Sequence, residues 1–180
     1  MICCNVLVWQ VHDTTTGQAV IMPRSYGKSL NASDLQDVIA KFFPVHSGQS
    51  PQGLPKEQLL PVIEVIRKHV AAVRDAFAQL EIRMVGGSFL IIYESDLERA
   101  KEGITMLEEG GVDEEDGEDE SDEEEEDEED TKPGLLYLVK LIDFAHTEVV
   151  TGEGPDEGAL LGMDTTLKLL DGRIAQIKRS

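Results

Sequence analysis

The chain has 180 residues, 41% of them hydrophobic, and a formal net charge of −20 from 16 basic and 36 acidic side chains. Eighteen of the acids lie between Glu108 and Asp130, a span without Lys or Arg, so the rest of the chain is close to neutral and the acidity says nothing about the folded part. Adjacent Cys3 and Cys4 make no disulfide framework, there is no secretory apolar segment, and no apolar run approaches the roughly 20 residues that span a bilayer. The expectation is one modest soluble domain in a reducing compartment, not a disulfide-rich secreted or membrane-spanning chain.

Val6 to Val11 and Gln18 to Met22 are β-rich and flank Asp13-Thr14-Thr15-Thr16-Gly17, which predicts a hairpin. Ser33 and Gln36 have the spacing of a capping box ahead of Leu35, Val38, Ile39 and Phe42, which share one helical face, and Pro44 ends that helix. Ser47 to Pro55, rich in Gly, Pro, Ser and Gln, reads as a loop. Ile63, Ile66, Val70, Val73, Phe77 and Leu80 recur in steps of three and four, the stripe of a long amphipathic helix that faces a core. A strand around Phe89 to Tyr93 follows, then a helix over Leu97 to Leu107.

The acidic span Glu108 to Asp130 repels itself and has almost nothing apolar to bury, so it is expected to stay disordered. Closing a loop costs only logarithmically in its length, so strands on either side can still pair. Beyond it, Leu135 to Phe144 reads as a strand, and Glu157 to Leu170 as a closing helix with Pro155 and two acids at its start. His12, His46 and His69 have no mutual spacing that suits zinc.

The segment Val139-Lys140-Leu141-Ile142-Asp143-Phe144-Ala145-His146-Thr147 carries the most chemistry: an apolar, β-branched run ends in a carboxylate, followed by an aromatic residue and a histidine. A carboxylate at the end of a buried strand needs a charged partner, and a Mg²⁺ held against nucleotide phosphates is one. By itself such an Asp more often caps a turn. Two other segments keep it company, Arg83 to Glu94 with Gly86-Gly87-Ser88-Phe89-Leu90, and Gly154-Pro155-Asp156-Glu157-Gly158. Taken in chain order, the three resemble the signatures of the inositol polyphosphate kinases, with the fungal multikinase branch nearest. Val8-Trp9, Tyr26-Gly27-Lys28 and Phe42-Phe43-Pro44 extend the likeness. Gly87 stands where a second serine is usual and Phe89 where leucine is, both placed beside the nucleotide by the resemblance.

The resemblance implies an α+β fold, the C-terminal lobe fragment of a protein-kinase-like or ATP-grasp-like two-lobe kinase, with the N-terminal lobe absent. Residues 1–107 would be the first part of that lobe, 108–132 a disordered acidic insertion, and 133–180 the last part, with the metal-site strand and closing helix. It implies ATP- and Mg-dependent phosphorylation of soluble inositol polyphosphates, with Asp143 on the metal and nucleotide, Ser88 ordering the nucleotide side and His146 catalytic near the attacking hydroxyl. The family's lysine-bearing motif (proline, three residues, aspartate, any residue, lysine, any residue, glycine) matches nothing here, so little activity is expected of this chain alone. A different class remains open: a non-catalytic protein whose acidic tract binds basic nuclear partners. The expected location is nucleus and cytoplasm, with neither a membrane nor nucleic acid as a partner.

Overall fold

The computed structural model describes residues 9–12, 18–47, 52–110 and 135–180. The first ribbon pairs β1 (Trp9–His12) with β2 (Ala19–Met22) antiparallel, Trp9 opposite Met22. That pairing is the one a hairpin requires; its expected turn, residues 13–17, lies outside the described residues. A short helix α1 (Arg24–Ser29) follows, then a 3-10 turn at Ala32–Asp34 leading into α2 (Leu35–Phe42). The capping box is formed not by Ser33 and Gln36 but by Asn31 and Asp34: the Asp34 carboxylate accepts from the Asn31 N–H at 2.8 Å. The 3-10 turn precedes the first α-helical turn, so the cap falls two residues earlier than the spacing alone suggests.

Helix α3 (Lys56–Phe77) starts after Pro55, whose carbonyl accepts from Gln58 and Leu59. It runs through Pro61, which removes one intrahelical hydrogen bond near the helix start. Leu59, Val62, Ile63, Ile66 and Val70 have no exposed surface, and burial of each such side chain stabilises by roughly 1.5–3 kcal/mol. That stripe outweighs the proline. The helix ends before Leu80, which is exposed.

Helix α5 (Glu157–Arg179) lies antiparallel along α3 and is nine residues longer than expected, because Ile174 and Ile177 continue its core-facing side past Leu170. Three ion pairs run in opposite order along the two helices: Glu64 with Lys178 at 2.8 Å, Arg67 with Asp171 at 2.9 Å, and Arg74 with Asp164 at 2.9 Å. Pairs as open as these contribute at most about 1 kcal/mol each and serve chiefly to set the register of the helices.

The core joins α3 and α5 to Phe43, Leu54, Ala100, Leu136 and Val139. Leu54 belongs to the segment read as a loop, yet it is fully buried, held by a parallel bridge to Val45. Arg173 donates twice to the Phe43 carbonyl, at 2.7 and 3.1 Å, and the Tyr93 hydroxyl donates to the Phe42 carbonyl at 2.8 Å. Together they satisfy carbonyls left open at the C-terminal end of α2.

Four strands complete the fold: β3 (Ile82–Met84), β4 (Ser88–Tyr93), β5 (Tyr137–Ile142) and β6 (Thr147–Val149). β3 pairs with β6 and β4 with β5, both antiparallel. Between β4 and β5 the chain forms α4 (Leu97–Glu108), capped by the Asp96 carboxylate on the N–H groups of Glu98 and Arg99. Helix and cap take up Glu108 and Glu109, so the boundary expected after residue 107 moves by two residues. Residues 111–132 of the acidic insertion lie outside the described residues. No helix among those described is long and apolar enough to cross a membrane.

Candidate functional site

The expected site residues come together where the two ribbons meet. Met84 stands opposite Thr147 in one register and Ser88 opposite Ile142 in the other. Between these pairs, three residues on one strand (Val85, Gly86, Gly87) face four on the other (Asp143 to His146). The β3–β4 and β5–β6 segments thus form one long antiparallel ribbon interrupted by a bulge, and the extra residue lies on the side of Asp143. The N–H of Val85 donates to the His146 carbonyl at 3.0 Å, which closes the bulge on its β3 side.

Asp143 bends the chain there. Its backbone adopts φ 69°, ψ 51°, the left-handed region, and it is the one non-glycine residue with positive φ among those described. Asp tolerates this region better than most side chains, though still at some cost. The side chain is exposed and makes no capping hydrogen bond to the 3-10 turn at Phe144–His146. The turn-capping role that a strand-end Asp more often has is therefore not the one used here. A bare, hard carboxylate suits a hard cation.

Across the bulge, Gly86 has φ +80°, which favours glycine, and open space where a side chain would begin. At Gly87 an added Cβ would overlap the Met84 sulfur, so Met84 fills the space that a serine would take. Ser88 is half-buried on the ribbon face shared with Leu90 and Ile92. Phe89 points the other way, into the core beside Phe77, Leu160 and Met163. Its difference from the usual leucine therefore bears on core packing. His146 is exposed at the far end of the bulge.

The ribbon is tied to α5 by a set of contacts that the sequence reading missed. The Glu81 carboxylate accepts from Gly152 N–H at 2.8 Å and Gly154 N–H at 3.4 Å. Arg83 donates to the carbonyls of Gly154 at 2.9 Å and Glu153 at 3.1 Å. Asp156 caps α5 through Ala159 and also accepts from the N–H of Met84. Burial acts to raise the Asp156 pKa, but the N–H groups of Met84, Ala159 and Gly158 outweigh it and hold the carboxyl below its usual value. The acid directly after Pro155 was visible in the sequence as a helix-start residue; the strand β3 that it also reaches was not.

Among the described residues, no three His, Cys, Asp or Glu side chains converge to hold a metal. A single exposed carboxylate such as that of Asp143 suits a cation held otherwise by phosphate oxygens and water, the habit of Mg²⁺. Asp143 would be that ligand.

A family model described as inositol polyphosphate kinase matches residues 2–171. Curated relatives include inositol polyphosphate multikinase of Saccharomyces cerevisiae, 31% identical over 164 residues, which cover 83% of this chain and 44% of that protein. Inositol hexakisphosphate kinase 2 of Rattus norvegicus is 28% identical over 174 residues, 89% of this chain and 37% of that protein. The corresponding kinase 3 of Mus musculus is 26% identical, with 89% and 35% covered. The chain thus spans between about a third and under half of the length of these relatives. In fold it is similar to the inositol phosphate multikinase of S. cerevisiae solved with ADP and Mn²⁺, with a TM-score of 0.58 at 23% identity, covering 91% of this chain and 55% of that one. A second inositol phosphate multikinase structure gives 0.59 at 15% identity, with 92% and 60% covered. The mixed helix-and-strand architecture is that of part of these kinases.

Proposed function

Because the chain belongs to the inositol polyphosphate kinase family, we propose that it forms the metal-bearing wall of a site that transfers a phosphoryl group from ATP to a hydroxyl of a soluble inositol polyphosphate. The observation that carries the reading is the bulge, which exposes the Asp143 carboxylate free of structural hydrogen bonds, with Ser88 opposite the preceding Ile142 at one end and His146 at the other. In this reading Asp143 holds Mg²⁺ against the nucleotide phosphates. Bound there, the cation neutralises charge on the transferring group. Ser88 orders the nucleotide side through its hydroxyl. His146 meets the inositol phosphate or its attacking hydroxyl, since an imidazole can donate to phosphate or accept a proton near neutral pH.

Phosphoryl transfer also needs a cation on the transferring phosphate and a lobe that covers the nucleotide. The 180-residue chain on its own should therefore turn over little. Two measurements test the assignment. Electron paramagnetic resonance should show Mn²⁺–ADP retained by the 180-residue chain and lost from Asp143→Asn, an uncharged and poorer ligand. In a chimera carrying a relative's lysine-bearing lobe, Asp143→Asn should lower turnover about 100-fold or more, and His146→Ala less. Equal Mn²⁺–ADP retention by parent and Asp143→Asn would remove the assignment.

The reading extends to a nuclear and cytoplasmic protein whose acidic tract docks basic partners such as histones, by charge complementarity. Histone retention that survives replacement of the tract by a neutral linker would refute that part.

A further inference from the structure

An N-cap needs one side-chain oxygen, and Asp156 uses two. Oδ1 accepts from the Ala159 N–H at 3.0 Å, the cap of α5. Oδ2 accepts from the Met84 N–H at 2.9 Å, on an element 72 residues away in sequence. Successive N–H groups of a strand point to opposite edges. That of Val85 points toward β6 and meets the His146 carbonyl, so that of Met84 points to the outer edge of β3, where no strand among those described receives it. The Asp156 carboxylate stands in for that strand. Met84 is the last residue of β3 and lies opposite Thr147, the residue after His146.

We propose that Asp156 is a positioning residue for the candidate site: it fixes the end of β3 against the start of α5, and through the Met84–Thr147 pair and the Val85–His146 bond it sets the bulge that presents Asp143 and His146. The consequence for the site rests on the reading of Asp143 and His146 given above, whereas the clamp itself does not. Glu81 and Arg83 act in the same sense by lacing the loop at residues 152–154 to β3, so that strand and helix cannot slide past one another. The lowered pKa of Asp156 agrees with a carboxylate kept ionised by several N–H donors.

Amide hydrogen exchange, read by NMR on the ligand-free 180-residue chain, separates a clamp from a simple helix cap. Asn caps a helix about as well as Asp, but its NH₂ group cannot accept from Met84. In Asp156→Asn, the Met84 and Val85 amides should exchange about tenfold faster or more, the loss expected for one hydrogen bond to a charged group. Ala159 should stay within about twofold of the parent. Asp156→Ala should release all three amides, while Ile66 and Val70 in the core report whether that variant still folds. If it does not, Asp156→Asn alone decides. Val85 exchanging at the parent rate in Asp156→Asn would overturn the proposal and leave Asp156 as a cap only. Asp143→Asn should leave these rates unchanged, so the clamp is judged without reference to metal binding, and a failure of the metal assignment is seen separately.

Discussion

Replacing Asp143 by residues of graded tolerance for positive φ should reveal whether stability has been given up at the candidate site. At φ 69° the Cβ of an L-residue crowds the following carbonyl oxygen, at a cost of roughly 1–2 kcal/mol, somewhat less for Asp and Asn. Glycine escapes that cost but loses roughly 0.5–1 kcal/mol in chain entropy on folding. The Asp143 side chain is exposed and makes no capping bond, so few other terms enter. Asp143→Gly is therefore expected to match or slightly exceed the parent, Asp143→Asn to match it, and Asp143→Ala to lose about 1 kcal/mol. Asp143→Val, β-branched, should lose about 2 kcal/mol or more. In a chain of this length 1 kcal/mol shifts Tm by roughly 2–4 °C, so Ala should melt about 2–4 °C and Val about 4–8 °C below Gly, as followed by far-UV circular dichroism. Valine melting with glycine would show that the left-handed backbone carries no strain. It would also remove the argument that a carboxylate is kept here for chemistry and not for folding.

Two further changes probe the scaffold. Tyr93→Phe leaves the Phe42 carbonyl without its donor and should cost about 1–3 kcal/mol at neutral pH. Burial pushes the Tyr93 hydroxyl far above its ordinary value of 10.0, partly opposed by the nearby Arg173 charge. Because the folded chain holds that proton more tightly, the stabilisation is complete below about pH 10 and is lost as pH rises through the folded value. The gap in Tm between parent and Tyr93→Phe should accordingly narrow above about pH 10, and a gap that widened there would contradict the assignment. Replacing residues 111–130 with a short Gly/Ser linker should leave Tm within about 2 °C, since loop length costs little, and should abolish histone retention. A loss of many degrees would mean that the tract packs on the domain.

The parts legible in the sequence were those set by local period and by local turn chemistry. The stripe from Ile63 to Phe77 gave α3 and its buried face, and the apolar run ending in Asp143 gave β5. Long-range matters were hidden. Leu54 is buried through a bridge to Val45, and the last nine residues of α5 depend on core neighbours that Asp171-Gly172 do not betray. The candidate site was half visible. Residue types at Ser88, Asp143 and His146 stood out, whereas the bulge that gathers them exists only in the mismatch of two registers. The packing of Phe89 on the core was hidden for a related reason: a strand's pattern shows which residues alternate, and not which set looks inward.

The mismatch also determines where this chain can change length. On the strand from Ile82 to Tyr93, even-numbered Ile82 and Met84 pack on the core before the bulge, and odd-numbered Phe89, Ile91 and Tyr93 pack on it afterwards. One residue gained or lost between Met84 and Ser88 would reverse that parity, turning Leu90 and Ile92 inward and three aromatic or branched core residues out to water. The link from α4 to β5, by contrast, joins two elements whose pairing partners are fixed elsewhere, and its length is nearly free. Insertions and deletions among descendants of this gene should accumulate between Glu109 and Leu135 while the span from Met84 to Ser88 drifts in residue type at constant length.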